Sequence, residues 1–191
     1  GNIIENERLL TLVIKMFLEL YPQTKRFAVP ISSPSEIDEV SKQLSIPVVK
    51  TKSSHLAMME AASDKSIGFV GGTRGGFIFT DFFFASDGMY SLAKILGLLA
   101  ASGQLFGTLN ETVIQFNNVK RTVPCAWDKK GQVMRHIMKY TEGFERQLID
   151  GVRIKFNENL KGFICVQMLP DKEKPIFHII AEAKTKEAAE S

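Results

Sequence analysis

Ser66-Ile67-Gly68-Phe69-Val70-Gly71-Gly72-Thr73-Arg74-Gly75-Gly76-Phe77-Ile78-Phe79-Thr80 is the stretch that decides the fold. Two short apolar runs, residues 66–71 and 77–80, flank a cluster of four glycines, and such runs bounded by turn residues read as strands. Upstream of them helix and strand patterns alternate. Leu9, Leu10, Val13, Met16, Phe17 and Leu20 recur at the spacing of one helical face over residues 6–21, and Pro22 ends that helix. A strand over residues 26–31 leads to a helix over 35–44, for which Ser33 is the expected N-cap with Glu36 three residues on. A β-branched strand over 46–51 and a helix over 55–63 complete the approach, and a long apolar helix over 88–101 follows the second strand. This alternation predicts one layered α/β domain over residues 1–105.

Beyond Gly103 the pattern changes. A linker over residues 106–117, containing a short connecting helix over 108–116, is expected to lead to a strand over 119–124 and a helix over 128–140 opened by Asp128 as N-cap. Three strands in close order follow, over 151–156, 162–168 and 176–182, separated by turn-rich segments at 157–161 and 170–175. A further helix begins after Lys184. The expected fold is therefore a three-layer α/β domain followed by a small α+β domain with an antiparallel sheet over residues 118–191.

The 191 residues include 24 basic and 21 acidic side chains, mixed along the chain, for a net charge of +3. No basic block is present that would track a phosphate backbone, so nucleic acid is not an expected partner. Apolar stretches fall short of the ~20 residues that cross a bilayer, so no membrane span is expected. Glu5 and Glu7 stand where a secretory signal would carry a basic start, which points to a cytoplasmic protein. Cys125 and Cys165 lie in apolar, strand-like surroundings and read as buried thiols rather than a disulfide. His55, His136 and His178 are scattered, and no His, Cys or Asp pair has metal-ligand spacing.

The segment Gly71, Gly72, Thr73, Arg74, Gly75, Gly76 admits two readings. Glycines let a backbone approach a ligand closely and Arg74 could pair with a phosphate or carboxylate; equally, the segment is a tight strand-to-strand turn needing positive φ at several positions. A nucleotide phosphate loop would instead run into a helix and end in Gly-Lys-Ser or Gly-Lys-Thr. Ser53 and Ser54 beside His55 read as caps of the following helix rather than as a nucleophile and its base. His178, flanked by Phe177 and Ile179, reads as a hydrogen-bonded structural residue.

Two further spans complete a pattern: Ser86-Asp87-Gly88 before the apolar helix, and Leu169, Pro170, Asp171, Lys172, Glu173, Lys174, Pro175 between the last two strands. With the glycine segment they resemble, over nearly the whole chain, the last two domains of the phosphomannomutase/phosphoglucomutase (α-D-phosphohexomutase) family. That family has a phosphoserine loop in its first domain, an Asp-rich magnesium loop in its second, a sugar loop in its third and a phosphate loop in its fourth. The opening Gly1-Asn2-Ile3-Ile4 resembles the stretch after the magnesium loop. The resemblance thus implies no cofactor within these residues, with magnesium expected only in a catalytic parent, and the other domains of that parent as partners.

The family's sugar loop reads Gly-Gly-Glu-x-Ser-Gly-His; at the matching positions Glu is Thr73, Ser is Gly75 and His is Phe77. Losing the carboxylate removes charge-assisted hydrogen bonds worth roughly 1.5–3 kcal/mol each. The family's phosphate loop reads Arg-Pro-Ser-Gly-Thr-Glu-Pro; only the two prolines survive here, and Asp171 and Glu173 oppose what Lys172 and Lys174 offer a dianion. The resemblance therefore implies degenerate sugar and phosphate loops and no catalysis by this chain alone. The double replacement resembles the mutase-like part of proteins in which a mannose-1-phosphate guanylyltransferase is fused to a phosphomannomutase. Two other readings stay open: an active phosphohexomutase of altered substrate, with Arg74, Lys172 and Lys174 gripping a hexose phosphate, and an oligomerisation surface.

Overall fold

The computed structural model describes residues 3–156 and 162–190. Gly1 and Asn2 of the opening, the expected turn at 157–161 and Ser191 lie outside the described residues. The chain forms two compact units that divide between Ile114 and Gln115.

The first unit runs α1 (Asn6–Leu20), β1 (Arg26–Pro30), α2 (Glu36–Leu44), β2 (Val48–Thr51), α3 (His55–Ala62), β3 (Ile67–Gly71), β4 (Phe77–Phe79), α4 (Gly88–Ser102) and α5 (Phe106–Thr112). Its sheet has the order β2-β1-β3-β4, parallel except for the β3–β4 pair. Because the strand order reverses at β1, right-handed crossovers place α2 and α3 on opposite faces. The side-chain alternation agrees. Phe27, Val29, Phe69, Phe77 and Phe79 turn into a core shared with α1, α2, α4 and α5. Ala28, Val70 and Ile78 turn the other way, against Met58 and Ala62 of α3. The result is three layers.

The larger core is aromatic. Phe17 lies 5.4 Å from Phe69 and 5.8 Å from Phe79, centroid to centroid, and Phe69 and Phe79 meet edge to face at 5.2 Å. The caps are local: Ser54 Oγ accepts from Ala57 N at 3.3 Å to start α3, and Asp87 Oδ1 accepts from Tyr90 N at 2.8 Å to start α4. For α2 the expected cap was Ser33, but Ser35 occupies that position. Pro34 begins a tight turn, with Ile37 N donating to Pro34 O, so the helical path is entered two residues later.

The two units divide between Ile114 and Gln115, within the span 106–117 expected as a linker. The connecting helix is α5, two residues earlier than expected, and it belongs to the first unit because Leu109 and Val113 are buried in its core. Arg8 fixes it: its guanidinium donates to Asn110 Oδ1 at 2.6 Å and to the carbonyls of Asn110, Val113 and Ile114 at 2.7–2.9 Å. These are the unsatisfied acceptors at a helix C-terminus.

The second unit runs β5 (Asn117–Pro124), α6 (Trp127–Tyr140), β6 (Arg146–Gln147), β7 (Val152–Lys155), β8 (Phe163–Pro170), β9 (Ile176–Ala183) and α7 (Lys186–Glu190). Its sheet, in the order β5-β9-β8-β7-β6, is antiparallel throughout. The two-residue β6 was not expected; it is too short to carry a periodicity. Asp128 sits in the first turn of α6 rather than at its cap, which is Ala126. Register puts Arg153, Gln167, Cys165 and Glu182 on one face, where all four are buried, and the Cys165 thiol donates to Glu182 Oε2 at 3.4 Å. Both cysteines are free. Among the described residues no single helix is long and apolar enough to cross a membrane.

Candidate functional site

The glycine segment closes the β3–β4 hairpin at the carboxyl end of the parallel strands, where open α/β sheets place their ligands. Gly75 and Gly76 adopt φ of +88° and +79°, and Gly75 N donates to Gly72 O at 3.2 Å. A β-carbon at Gly72 would lie 2.5 Å from Gly75 O, so this turn closes only on a bare backbone. The tight-turn reading of the sequence is therefore physically correct, and the same backbone also lines a cleft.

An open groove of about 390 Å³ runs between Gly76 and Phe77 on one side and Ser86, Asp87, Ser91 and Leu92 on the other. Two of the spans singled out in the sequence, the glycine segment and Ser86-Asp87-Gly88, thus meet across one depression. His55 joins them: its Cε1 and the Ser86 side chain are the nearest atoms to a β-carbon built on Gly76, at 3.7 and 3.5 Å. Sequence reading set His55 aside, since its approach to Gly76 depends on α3 crossing the sheet. Gly71 and Gly72 are buried, Thr73 is half-buried, and Arg74 is exposed. The Arg74 guanidinium has no hydrogen bond or ion pair among the described residues.

The second candidate loop joins β8 to β9. Leu169 and Pro170 are still within the ladder, paired with His178 and Phe177, so the loop proper is Asp171 to Pro175. The amides of Glu173 and Lys174 are already engaged. Asp171 Oδ1 accepts from Glu173 N at 2.8 Å and from Lys174 N at 2.7 Å, while Oδ2 lies 2.8 Å from His178 Nε2. The His178 bond, then the two amides, hold the Asp171 carboxyl down to about 2. Lys130 Nζ, 3.8 Å from the centre of the Trp127 ring, donates to the carbonyls of Asp171 and Lys174, both at 2.5 Å. Lys172 turns away to Asp150 Oδ1 at 3.1 Å.

The two loops differ chemically. The glycine loop offers open space, a free guanidinium and a neighbouring imidazole. The Asp171 loop holds a carboxylate in the nest of amides that an external anion would need. Among the described residues no group of three or more His, Cys, Asp or Glu side chains is placed to hold a metal ion.

Comparison with known proteins follows the same lines. The family model described as phosphoglucomutase/phosphomannomutase, alpha/beta/alpha domain III matches residues 5–116. A "Probable phosphoglucosamine mutase" of Pyrococcus abyssi is 29% identical over 195 aligned residues, covering 100% of this chain and 42% of the relative. A "Phosphoglucomutase/phosphomannomutase" of Thermococcus kodakarensis is 29% identical over 161, covering 83% of this chain and 34% of its own. Among solved structures, a phosphoglucomutase/phosphomannomutase family protein of Burkholderia thailandensis superposes with a TM-score of 0.78 at 17% identity, over 100% of this chain and 40% of that one. Aspergillus fumigatus N-acetylphosphoglucosamine mutase, solved with GlcNAc-6P and magnesium, gives 0.69 at 12% identity over 99% and 45%. The chain spans less than half the length of these relatives.

Proposed function

We propose, given that this chain belongs to the phosphoglucomutase/phosphomannomutase family, that it is the carboxy-terminal pair of domains of a phosphohexomutase-like protein in sugar-phosphate or nucleotide-sugar metabolism. In this reading the first unit is of the sugar-binding type, the second of the phosphate-binding type, and neither loop retains its grip on a hexose phosphate. The chain has no catalysis of its own and contributes scaffolding or assembly.

The observation that carries this reading is the Asp171 carboxylate. It accepts the amides of Glu173 and Lys174 and the imidazole of His178, so an incoming phosphate dianion must displace an anion that is already bonded and would meet its charge at contact distance. Replacement of the sugar-loop carboxylate by Thr73 acts in the same direction. Isothermal titration of the chain, and of the full parent, with glucosamine 1-phosphate, mannose 1-phosphate and glucose 1-phosphate tests it; relatives named as phosphoglucosamine mutases make the amino sugar the first to try. No heat of binding is expected up to millimolar ligand, and micromolar affinity in either form sinks the proposal.

A second reading, a parent active on an altered substrate, is favoured by Arg74, exposed and without a hydrogen bond or ion pair among the described residues, two residues before Gly76, which lines the open groove. In that case Arg74→Ala would reduce mutase activity of the parent by an order of magnitude or more, and the sequence upstream would carry a serine loop and a magnesium motif. An upstream guanylyltransferase domain would instead identify the nucleotide-sugar version.

A further inference from the structure

Helix α6 carries its charge differently from the other helices that contain lysine. Lys15 of α1 meets Glu19 at 3.8 Å, Lys42 of α2 meets Glu39 at 2.6 Å and Lys186 of α7 meets Glu190 at 3.9 Å, each within its own helix, and Lys94 of α4 meets Asp81 at 3.0 Å. In α6 the single acidic residue is Asp128, 3.9 Å from its neighbour Lys129, set against Lys129, Lys130, Arg135 and Lys139. Lys130 is engaged by the carbonyls of Asp171 and Lys174 and by the Trp127 ring. It marks the inner side of the helix, shared with half-buried Val133, Met134 and Ile137. With 3.6 residues per turn, Lys129, Gln132, Arg135, His136 and Lys139 fall on the opposite side with Asp128, and all are exposed. Arg135, His136 and Lys139 have no hydrogen bond or ion pair among the described residues. Arg135 and Lys139 stand four residues apart, a like-charge spacing that weakens a helix, so the stability of α6 does not account for them.

We infer that the outward face of α6 is a docking surface for an acidic protein segment that brings carboxylates to Arg135 and Lys139. Charge complementarity selects that occupant. The net positive charge of the chain lies in the second unit, where basic side chains outnumber acidic ones, whereas the first unit is close to balance. Elsewhere in the second unit Arg121, Arg146 and Lys172 are taken up by the Glu190 carbonyl, the Met138 carbonyl and Asp150. Arg135 and Lys139 are one turn apart, about 6 Å along the axis, which matches carboxylates one turn apart on a partner helix or two residues apart on an extended segment. A nucleic acid fits poorly, because its backbone needs cations that track several phosphates and here Asp128 lies on the same side. A lipid surface would need the apolar side of the helix, and Val133, Met134 and Ile137 are turned inward. A second copy is a poor source of the carboxylates, since Glu19, Glu39 and Glu190 of the helices are already paired. The inference goes beyond the reading of the two loops and does not depend on it.

Fluorescence anisotropy of a labelled acidic peptide, a helix-forming sequence with glutamate at every fourth position, tests the inference on the 191-residue chain at low salt. Saturable binding in the micromolar range is expected, and Arg135→Glu with Lys139→Glu should weaken it at least tenfold. Lys52→Glu with Lys65→Glu removes the same charge from exposed positions of the first unit and should change it less than twofold. Equal losses in the two double variants overturn the inference, because binding would then follow net charge alone. So does a lack of saturation below millimolar peptide, or tighter binding of a thymidine oligonucleotide or of phosphatidylserine vesicles than of the peptide. Self-association in light scattering that the α6 variant abolishes gives the face to a second copy and overturns it as well. The wild-type chain supplies a readout that needs no variant to fold: peptide-induced NMR shifts of backbone amides should centre on residues 129–139, and shifts centred elsewhere sink the assignment. Titration with hexose phosphates tests the loops and stands or falls separately from α6.

Discussion

Asp171 shows how one side chain can settle the chemistry of a loop. Its two oxygens meet two backbone amides and an imidazole, and the first of these contacts in strength, His178, holds its proton affinity down to about 2 against an ordinary 3.8. A folded-state value below the ordinary one means that the carboxylate's contribution is present throughout the neutral and mildly acid range and is lost as pH falls through about 2. The carboxyl carbon of Asp171 should therefore titrate near 2 by NMR, and His178→Ala should move the midpoint up toward the ordinary range; an unmoved midpoint would remove His178 as the cause. The role of Asp171 was only half legible in the sequence. The charge balance of residues 170–175 argued against a phosphate, but the partner His178 is supplied by hairpin register, Leu169 opposite His178, which composition does not specify.

Among the elements, the glycine hairpin between β3 and β4 makes two kinds of glycine requirement separable. Gly75 needs its positive φ but has open space around it, so Gly75→Ala should cost about 1 kcal/mol from backbone conformation alone. Gly72 faces the Gly75 carbonyl at 2.5 Å from a built β-carbon, and Gly72→Ala should cost more, about 2–3 kcal/mol, because the contact is with backbone and not with a side chain that could swing aside. Urea denaturation of the two variants checks the order, and the reverse order would contradict this account. The helices also mark the limits of local reading. Ser54 and the turn before Gly88 were legible, since an N-cap is a contact over three residues. The attachment of α5 was not, because Arg8 reaches it across about a hundred residues and draws residues 106–114 of the expected linker into the first unit.

Taken whole, the molecule concentrates its apolar burial in one unit. The first holds an aromatic core around Phe17, Phe69 and Phe79; the second buries fewer large side chains and places Arg153, Gln167 and Glu182 among them. Thermal unfolding should therefore resolve into two transitions, and Phe69→Ala, which empties a fully buried site at a cost of about 3–5 kcal/mol, should lower only the one that belongs to the first unit. Calorimetry of the wild type and the variant decides this, and a single transition shifted as a whole would count against it. The sequence by itself determined the layered α/β unit, the antiparallel second unit and the frame of both loops, since periodicity, caps and turn residues act over a few positions. Only the tertiary structure decided that His55 and Ser86 close on Gly76, that Asp171 occupies its own loop, and that α6 turns Arg135 and Lys139 outward. Those outcomes depend on crossovers, strand register and which faces find a partner, and such contacts are set by the packing of distant segments rather than by local pattern.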